Sequence, residues 1–158
     1  MTKNVAINNQ VLIRKAEIKD AERIAILADQ LGYIVTSQQA QERIDKIQNN
    51  YSHVLYVATL DDGLNHGKVI GWIHAYIEDT IVTETAIFVV SLIVDQDYRY
   101  RGIGHLLIKQ IENWAAKSDI KDILIGSNIK RKEAHLFYEK IGYTNIKQSL
   151  TFYKSLAS

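Results

Sequence analysis

Hydrophobic and polar positions divide this chain into segments of two periods. Val11, Leu12 and Ile13 open a short first strand over 11–16. From Asp20, placed to cap a helix, Ala21, Ile24, Leu27 and Leu31 recur at helical spacing until Gly32 ends the pattern. Thr36 with Gln39 makes a capping box for a second helix, whose Ala40, Ile44 and Ile47 share one stripe. Residues 54–60 are rich in β-branched and aromatic side chains and run into Asp61-Asp62-Gly63-Leu64-Asn65-His66-Gly67, a segment of turn formers, so they pair with 69–77 as a hairpin. After a turn near Glu78-Asp79-Thr80 a third strand covers 86–94. It is almost continuously apolar from Phe88 to Val94, as a central strand buried on both faces would be.

From Gly102 the period becomes helical, with Leu107, Ile111, Trp114 and Ala115 on one face up to about Ser118. Residues 123–125 form a short buried strand. Ala134, Phe137, Tyr138 and Ile141 mark a last helix closed by Gly142, and 146–153 supplies a last strand. The order is strand, two helices, three antiparallel strands, helix, strand, helix, strand. That makes the class α/β in the α+β sense: a mixed, centrally antiparallel sheet flanked by helices. A doubly wound dinucleotide fold is excluded, because three consecutive strands joined by short turns imply an antiparallel portion.

Composition narrows the function. The 158 residues suit a single domain over 1–158 with a polar leader at 1–10, and 47% hydrophobic with 23% charged residues is the balance of a chain that folds. A net charge of +1 leaves no overall footprint for nucleic acid or an anionic membrane, so any anion site is local. No cysteine is present, which removes thiolate nucleophiles and zinc-thiolate sites and fits a cytoplasmic protein. Neither a secretory signal nor an apolar run near 18 residues appears, so a soluble protein without membrane partners is expected.

The chemistry concentrates in Val94-Asp95-Gln96-Asp97-Tyr98-Arg99-Tyr100-Arg101-Gly102-Ile103-Gly104-His105, between a buried strand and the start of a helix. The first turn of a helix offers unpartnered N–H groups and the positive end of the macrodipole. Gly102 and Gly104 let a pyrophosphate approach the backbone, while Arg99 and Arg101 add charged donors. A plain strand-to-helix turn is the competing reading. The Gly-Lys-Ser/Thr ending of a Walker loop and the three-glycine dinucleotide fingerprint are both absent.

Arg99-Tyr100-Arg101-Gly102-Ile103-Gly104 resembles the Arg/Gln-x-x-Gly-x-Gly/Ala signature of the GNAT superfamily, the acetyl-CoA-dependent N-acetyltransferases. Leu92-Ile93-Val94-Asp95 before it, and Asn128, Ala134, Phe137-Tyr138-Glu139-Lys140 and Gly142-Tyr143 after it, resemble the flanking blocks of that superfamily. The pattern Ala134-His135-x-Phe137-Tyr138, Gly142-Tyr143 and Lys147-x-Ser149-x-x-Phe152 is similar to the branch of aminoglycoside 6'-N-acetyltransferase-like proteins.

The resemblance implies an acyl-CoA N-acyltransferase fold, with acetyl-CoA as co-substrate between the fourth and fifth strands and no metal. Pantetheine would pair with the backbone at Leu92, Ile93 and Val94. The pyrophosphate would meet the amides of Arg101, Gly102, Ile103, Gly104 and His105, with Arg99 and Tyr100 also in the cofactor site. Asn128 would contact the pantetheine arm or order the strand end, and Tyr138 would aim its hydroxyl at the thioester sulfur; without the motif Tyr138 reads as a core tyrosine. Lys130, with Arg131 and Lys132, crowds the start of the last helix, where a nearby nucleotide phosphate would relieve the charge.

Amine acetylation needs a neutral amine, yet a lysine-like amine is only about one part in two thousand neutral near pH 7. Histone-acetylating relatives place a glutamate where spacing puts Phe88 here, which argues against a protein-lysine substrate. Glu84 is the candidate base, with Glu78 and His74 as alternatives; each also reads as an ordinary turn charge or structural side chain. Tyr33, Glu78, Glu84 and Tyr153 fall in the segments that set substrate choice in the superfamily. Acidic residues with aromatics suit a small cationic amine. The expected activity is transfer of acetyl to a primary amine by direct attack in a ternary complex. The alternatives are a non-catalytic acyl-CoA sensor and a protein lysine or N-terminal acetyltransferase. An exposed sheet edge or helix would allow a homodimer.

Overall fold

The computed structural model describes residues 10–157; of the polar leader expected at 1–10, all but Gln10 lies outside the described residues. The chain forms two compact units, Met1–Gly126 and Ser127–Ser158. In the first unit β1 (Val11–Lys15) leads through a 3-10 turn at Ile18–Asp20 to α1 (Ala21–Asp29) and α2 (Ser37–Gln48). Then come β2 (His53–Asp61), β3 (His66–Glu78), β4 (Ala86–Val94), a 3-10 turn at Gln96–Tyr98, α3 (Ile103–Lys117) and β5 (Asp122–Ile125). The second unit holds α4 (Lys132–Lys140).

The sheet keeps chain order, β1-β2-β3-β4-β5. Its first four strands are antiparallel and β5 is parallel to β4, with α3 as the crossover that a parallel pair requires. On one face Leu55, Val57, Val69 and Ile93 join Ile24, Leu27 and Ala28 of α1 and Ala40 and Ile44 of α2 in one buried cluster. α3 buries Ile103, Leu107, Ile108 and Ile111 almost completely. Each such side chain contributes about 1.5–3 kcal/mol, so packing rather than helix propensity holds α3 in place. Gly71 on β3 makes room for it: a Cβ there would lie 3.3 Å from Leu107 Cδ1 and 3.1 Å from the Ile93 carbonyl.

Local signals explain most boundaries. Thr36 Oγ1 accepts from the Gln39 amide and Gln39 Oε1 from the Thr36 amide, both at 3.0 Å, so the capping box forms. Gly142, at φ 101°, follows α4, and the Tyr143 amide returns to the Tyr138 carbonyl at 3.0 Å. Two expectations change. Asp20 precedes α1 but makes no side-chain cap; its buried carboxylate instead takes two bonds from Arg14, at 2.8 and 2.9 Å, and one from the Glu17 amide. The strand expected over 146–153 is absent: the segment enters no ladder, and Ile146, Leu150, Phe152 and Tyr153 are exposed. An apolar alternation becomes a strand only where a neighbouring edge supplies hydrogen bonds.

Candidate active site

The centre of β4 carries the decisive irregularity. Its register with β3 pairs Tyr76 with Phe88 and Ala75 with Val89, then His74 with Ser91, leaving Val90 as a bulge. A bulge bends its strand and sharpens the twist. Pairing with β5 ends at the same point, with Val89 opposite Ile125 and the Gly126 amide on the Val89 carbonyl at 3.2 Å. Beyond it, β4 runs on to Val94 without β5 beside it.

The direction of the freed groups follows from one hydrogen bond. The Asp95 amide donates to the Ile70 carbonyl at 2.8 Å, so the Val94 carbonyl, opposed across the same planar peptide, faces the open side. There Arg99 Nε donates to it at 3.1 Å. By the period of two, the amides of Leu92 and Val94 face the opening and that of Ile93 faces β3. The open edge therefore offers a donor ladder to an extended amide-bearing chain.

The glycine-containing turn follows directly. Tyr100 takes φ 63° and Gly102, the residue before α3, φ 83°, a left-handed conformation that glycine adopts without strain. No side chain caps α3 and its first turn holds no acidic residue, so the amides of Ile103, Gly104 and His105 are oriented for an anion. Arg101 lies 5.6 Å and Lys68 of β3 5.4 Å from the centre of the Tyr98 ring, which adds Lys68 to this basic end. No motif marks Lys68, since strand pairing alone brings it here.

A cavity of about 440 Å³ lies between α1, α2 and the sheet, within the usual range for a small-molecule site. Tyr33 and Val35 line it from the α1–α2 connection, Arg43, Ile44, Lys46 and Ile47 from α2, Trp72 and His74 from β3, and Ser91 and Ile93 from β4. The Trp72 indole N–H is buried with no protein partner, so a polar ligand atom would satisfy it. The structure brings Tyr33 to this cavity together with Ile93 and His74. It does not bring Glu84, which is exposed between β3 and β4, or Glu78, which ends β3 and accepts from the Tyr76 hydroxyl at 3.2 Å.

Asp95 is the hub that sequence reading missed. Buried at the end of β4, it takes Arg23 Nη2 at 2.9 Å, Gln30 Nε2 at 3.2 Å and the Asp97 amide at 3.1 Å. Arg23 also donates to the Val69 carbonyl at 2.9 Å, and Gln30 Oε1 accepts from the Gln96 amide at 2.9 Å. α1 and the residue after it are thus fastened to β3 and to the start of the glycine turn by groups 46 to 72 residues apart. Burial alone would raise the Asp95 carboxyl; these donors outweigh it and hold it below the usual carboxylate range.

In the second unit, Asn128 Oδ1 accepts from the Lys130 amide at 2.9 Å, and its carbonyl accepts from the Arg131 amide at 3.0 Å and pairs with His135 Nε2 at 2.9 Å. This knot starts α4. Arg131 is the residue before the helix and Lys132 its first, while Lys130 is exposed. Tyr138 is buried beside Phe137, ring centres 5.5 Å apart; burial pushes its hydroxyl up and Arg131 opposes the shift.

A mixed sheet whose fourth and fifth strands part at a bulge, next to a glycine-started helix, defines the architecture of CoA-dependent acyltransferases. Residues 21–143 match the Acetyltransferase (GNAT) family, and the chain belongs to that family. It is 30% identical over 59 residues to the uncharacterized N-acetyltransferase YhdJ of Bacillus subtilis, an overlap of 37% of this chain and 42% of that protein's length. Its fold is similar to that of aminoglycoside N-acetyltransferase AAC(6')-Iy solved with CoA, with TM-score 0.78, 17% identity, and coverage of 93% and 95% of the two chains. It is also similar to glucosamine-6-phosphate N-acetyltransferase from Arabidopsis thaliana, with TM-score 0.76, 22% identity, and coverage of 92% and 99%. At these identities the two structures establish the fold.

Proposed function

We propose that the protein transfers acetyl from acetyl-CoA to a primary amine by direct attack within a ternary complex. The observation that carries this reading is the open edge of β4, placed between the glycine-started helix and a cavity that reaches Ser91 and Ile93. Pantetheine takes the strand-like place beside Leu92 to Val94. The pyrophosphate takes the α3 amides with Arg99 and Arg101, and the acceptor fills the cavity.

Once neutral, the amine nitrogen forms a C–N bond to the thioester carbon, and the Val94 N–H stabilises the oxyanion. The C–S bond then breaks. On the family resemblance, Tyr138 gives the thiolate a proton and recovers, through water, the one that nitrogen still has to lose.

The cavity argues for a different acceptor from the small cationic amine that the acidic turn residues suggested. Its charged lining is Arg43 and Lys46, with no carboxylate, on otherwise largely apolar walls. An amine with an apolar body and an anionic group fits these walls better than a polycation. The test measures CoA release and acetyl-CoA binding with leucine, phenylalanine, spermidine, an aminoglycoside and a lysine peptide. Release with the amino acids first is the expected result. Preference for spermidine or the aminoglycoside overturns the acceptor class, and tight binding without release across the panel points to an acyl-CoA sensor.

A further inference from the structure

We propose that His74 and His53 form a two-imidazole relay that carries the acceptor's proton from the cavity to solvent. The proposal rests on the acetyl-transfer reading above and supplies the base that reading lacks. His74 lines the cavity, its cross-strand partner on β4 is Ser91, and its Nε2 lies 2.9 Å from Nδ1 of His53. The ring centres lie 5.2 Å apart with planes 29° apart, so the two rings meet edge to edge across that contact, and His53 stacks in turn on Tyr76 at 5.2 Å. The two residues lie on neighbouring strands, 21 residues apart in sequence.

Counting ring nitrogens gives the relay its direction. The shared bond uses His74 Nε2 and His53 Nδ1, which leaves His74 Nδ1 for the acceptor and Nε2 of the partly buried His53 for water. In the outward step the ammonium gives a proton to His74 Nδ1, His74 Nε2 passes its own to His53 Nδ1, and His53 Nε2 releases one to water. Both rings end neutral. Between turnovers a proton taken up at His53 Nε2 and one released to water from His74 Nδ1 restore the tautomers.

The ionisable groups that share the cavity or the ring cluster with His74 are His53, Tyr76, Arg43, Lys46 and Tyr33, with Glu78 held by Tyr76. No carboxylate lines the cavity, so an imidazole is the acceptor this wall provides. Burial, and then the neighbouring His53, lower His74 to about 4. Such a ring is neutral at pH 7 and able to accept. It is too weak a base to keep an ammonium's proton, which is why the second imidazole is needed.

The test uses the full chain, acetyl-CoA, and two acceptors with an aromatic body and a carboxylate: phenylalanine, an ammonium at pH 7, and 4-aminobenzoate, whose amine is already neutral. His74→Gln is expected to lower kcat/KM for phenylalanine about 10²-fold at pH 7, and His53→Gln, which leaves the cavity wall intact, about tenfold. Both should keep acetyl-CoA affinity within twofold, and the loss with 4-aminobenzoate should be several-fold smaller than the loss with phenylalanine. The phenylalanine deficit should shrink as pH rises towards that amine's own pKa. Wild-type rates in both variants, or equal losses with both acceptors at every pH, overturn the relay alone. A wild type that releases CoA with neither acceptor, nor with any amine of the wider panel, overturns acetyl transfer and the relay with it.

Discussion

Tyr138 has one proton to give, and its burial keeps that proton in place at neutral pH. Tyr138→Phe removes the donor while keeping the ring that packs beside Phe137. A thiolate is a fair leaving group, so kcat should fall about 10²-fold, at the lower end for a general acid, with the Kd for acetyl-CoA within twofold. Calorimetric binding beside steady-state kinetics separates the outcomes, since parallel losses would make Tyr138 a packing residue. At this scale position along the chain was readable: the arginines and glycines fall in the turn before α3, Tyr33 in the α1–α2 connection and Asn128 ahead of α4. It was unreadable where function needs register. Nothing in the sequence says that His53 meets His74, or that Arg23 reaches Asp95. Glu84 was favoured for its chemistry, yet its turn leaves it exposed and away from the cavity.

Among the elements, α3 offers a test whose two readouts move in opposite directions. Gly104→Asp puts a carboxylate in a first turn that has none. A negative charge there favours the helix by about 0.3–1 kcal/mol, so thermal stability should hold or rise slightly. The same charge repels a pyrophosphate and its side chain fills the approach, so acetyl-CoA affinity should drop at least tenfold, about 1.4 kcal/mol. Retained affinity would show that the phosphates lie elsewhere. The elements themselves were legible because capping, glycine stops and periodicity act within a few residues: β4 was expected over 86–94 and is found there, and the Thr36–Gln39 box forms as read. The Val90 bulge was not legible, because Val89-Val90-Ser91 carries no turn chemistry and the extra residue shows only against β3. The 146–153 segment failed for the converse reason, having strand periodicity but no ladder.

Across the whole molecule, the ionisable groups set how stability responds to acid. Asp20 and Asp95 titrate lower in the fold than in the unfolded chain, so the unfolded state binds protons first. Their contribution is complete above about pH 4 and lost as pH falls through the folded values. His74 acts earlier, because its folded value near 4 lies below the ordinary 6.5. Stability therefore begins to decline as pH drops below about 6.5, before Asp20 or Asp95 takes up a proton. Asp95→Asn should cost about 1–3 kcal/mol at pH 7, by weakening the bonds from Arg23 and Gln30, and should flatten the loss below pH 4. Urea unfolding at several pH values checks both, and an unchanged acid slope would remove Asp95 from the account.

The parting of β4 from β5 also means that, on the proposed function, a small molecule would complete the sheet. A backbone edge that lacks a neighbouring strand trades its amide protons with water, and a ligand seated along it slows that trade. The amides of Leu92 and Val94 would then act as an occupancy meter, their deuterium uptake falling as the cleft fills while amides within the β2–β3 ladder keep their pace.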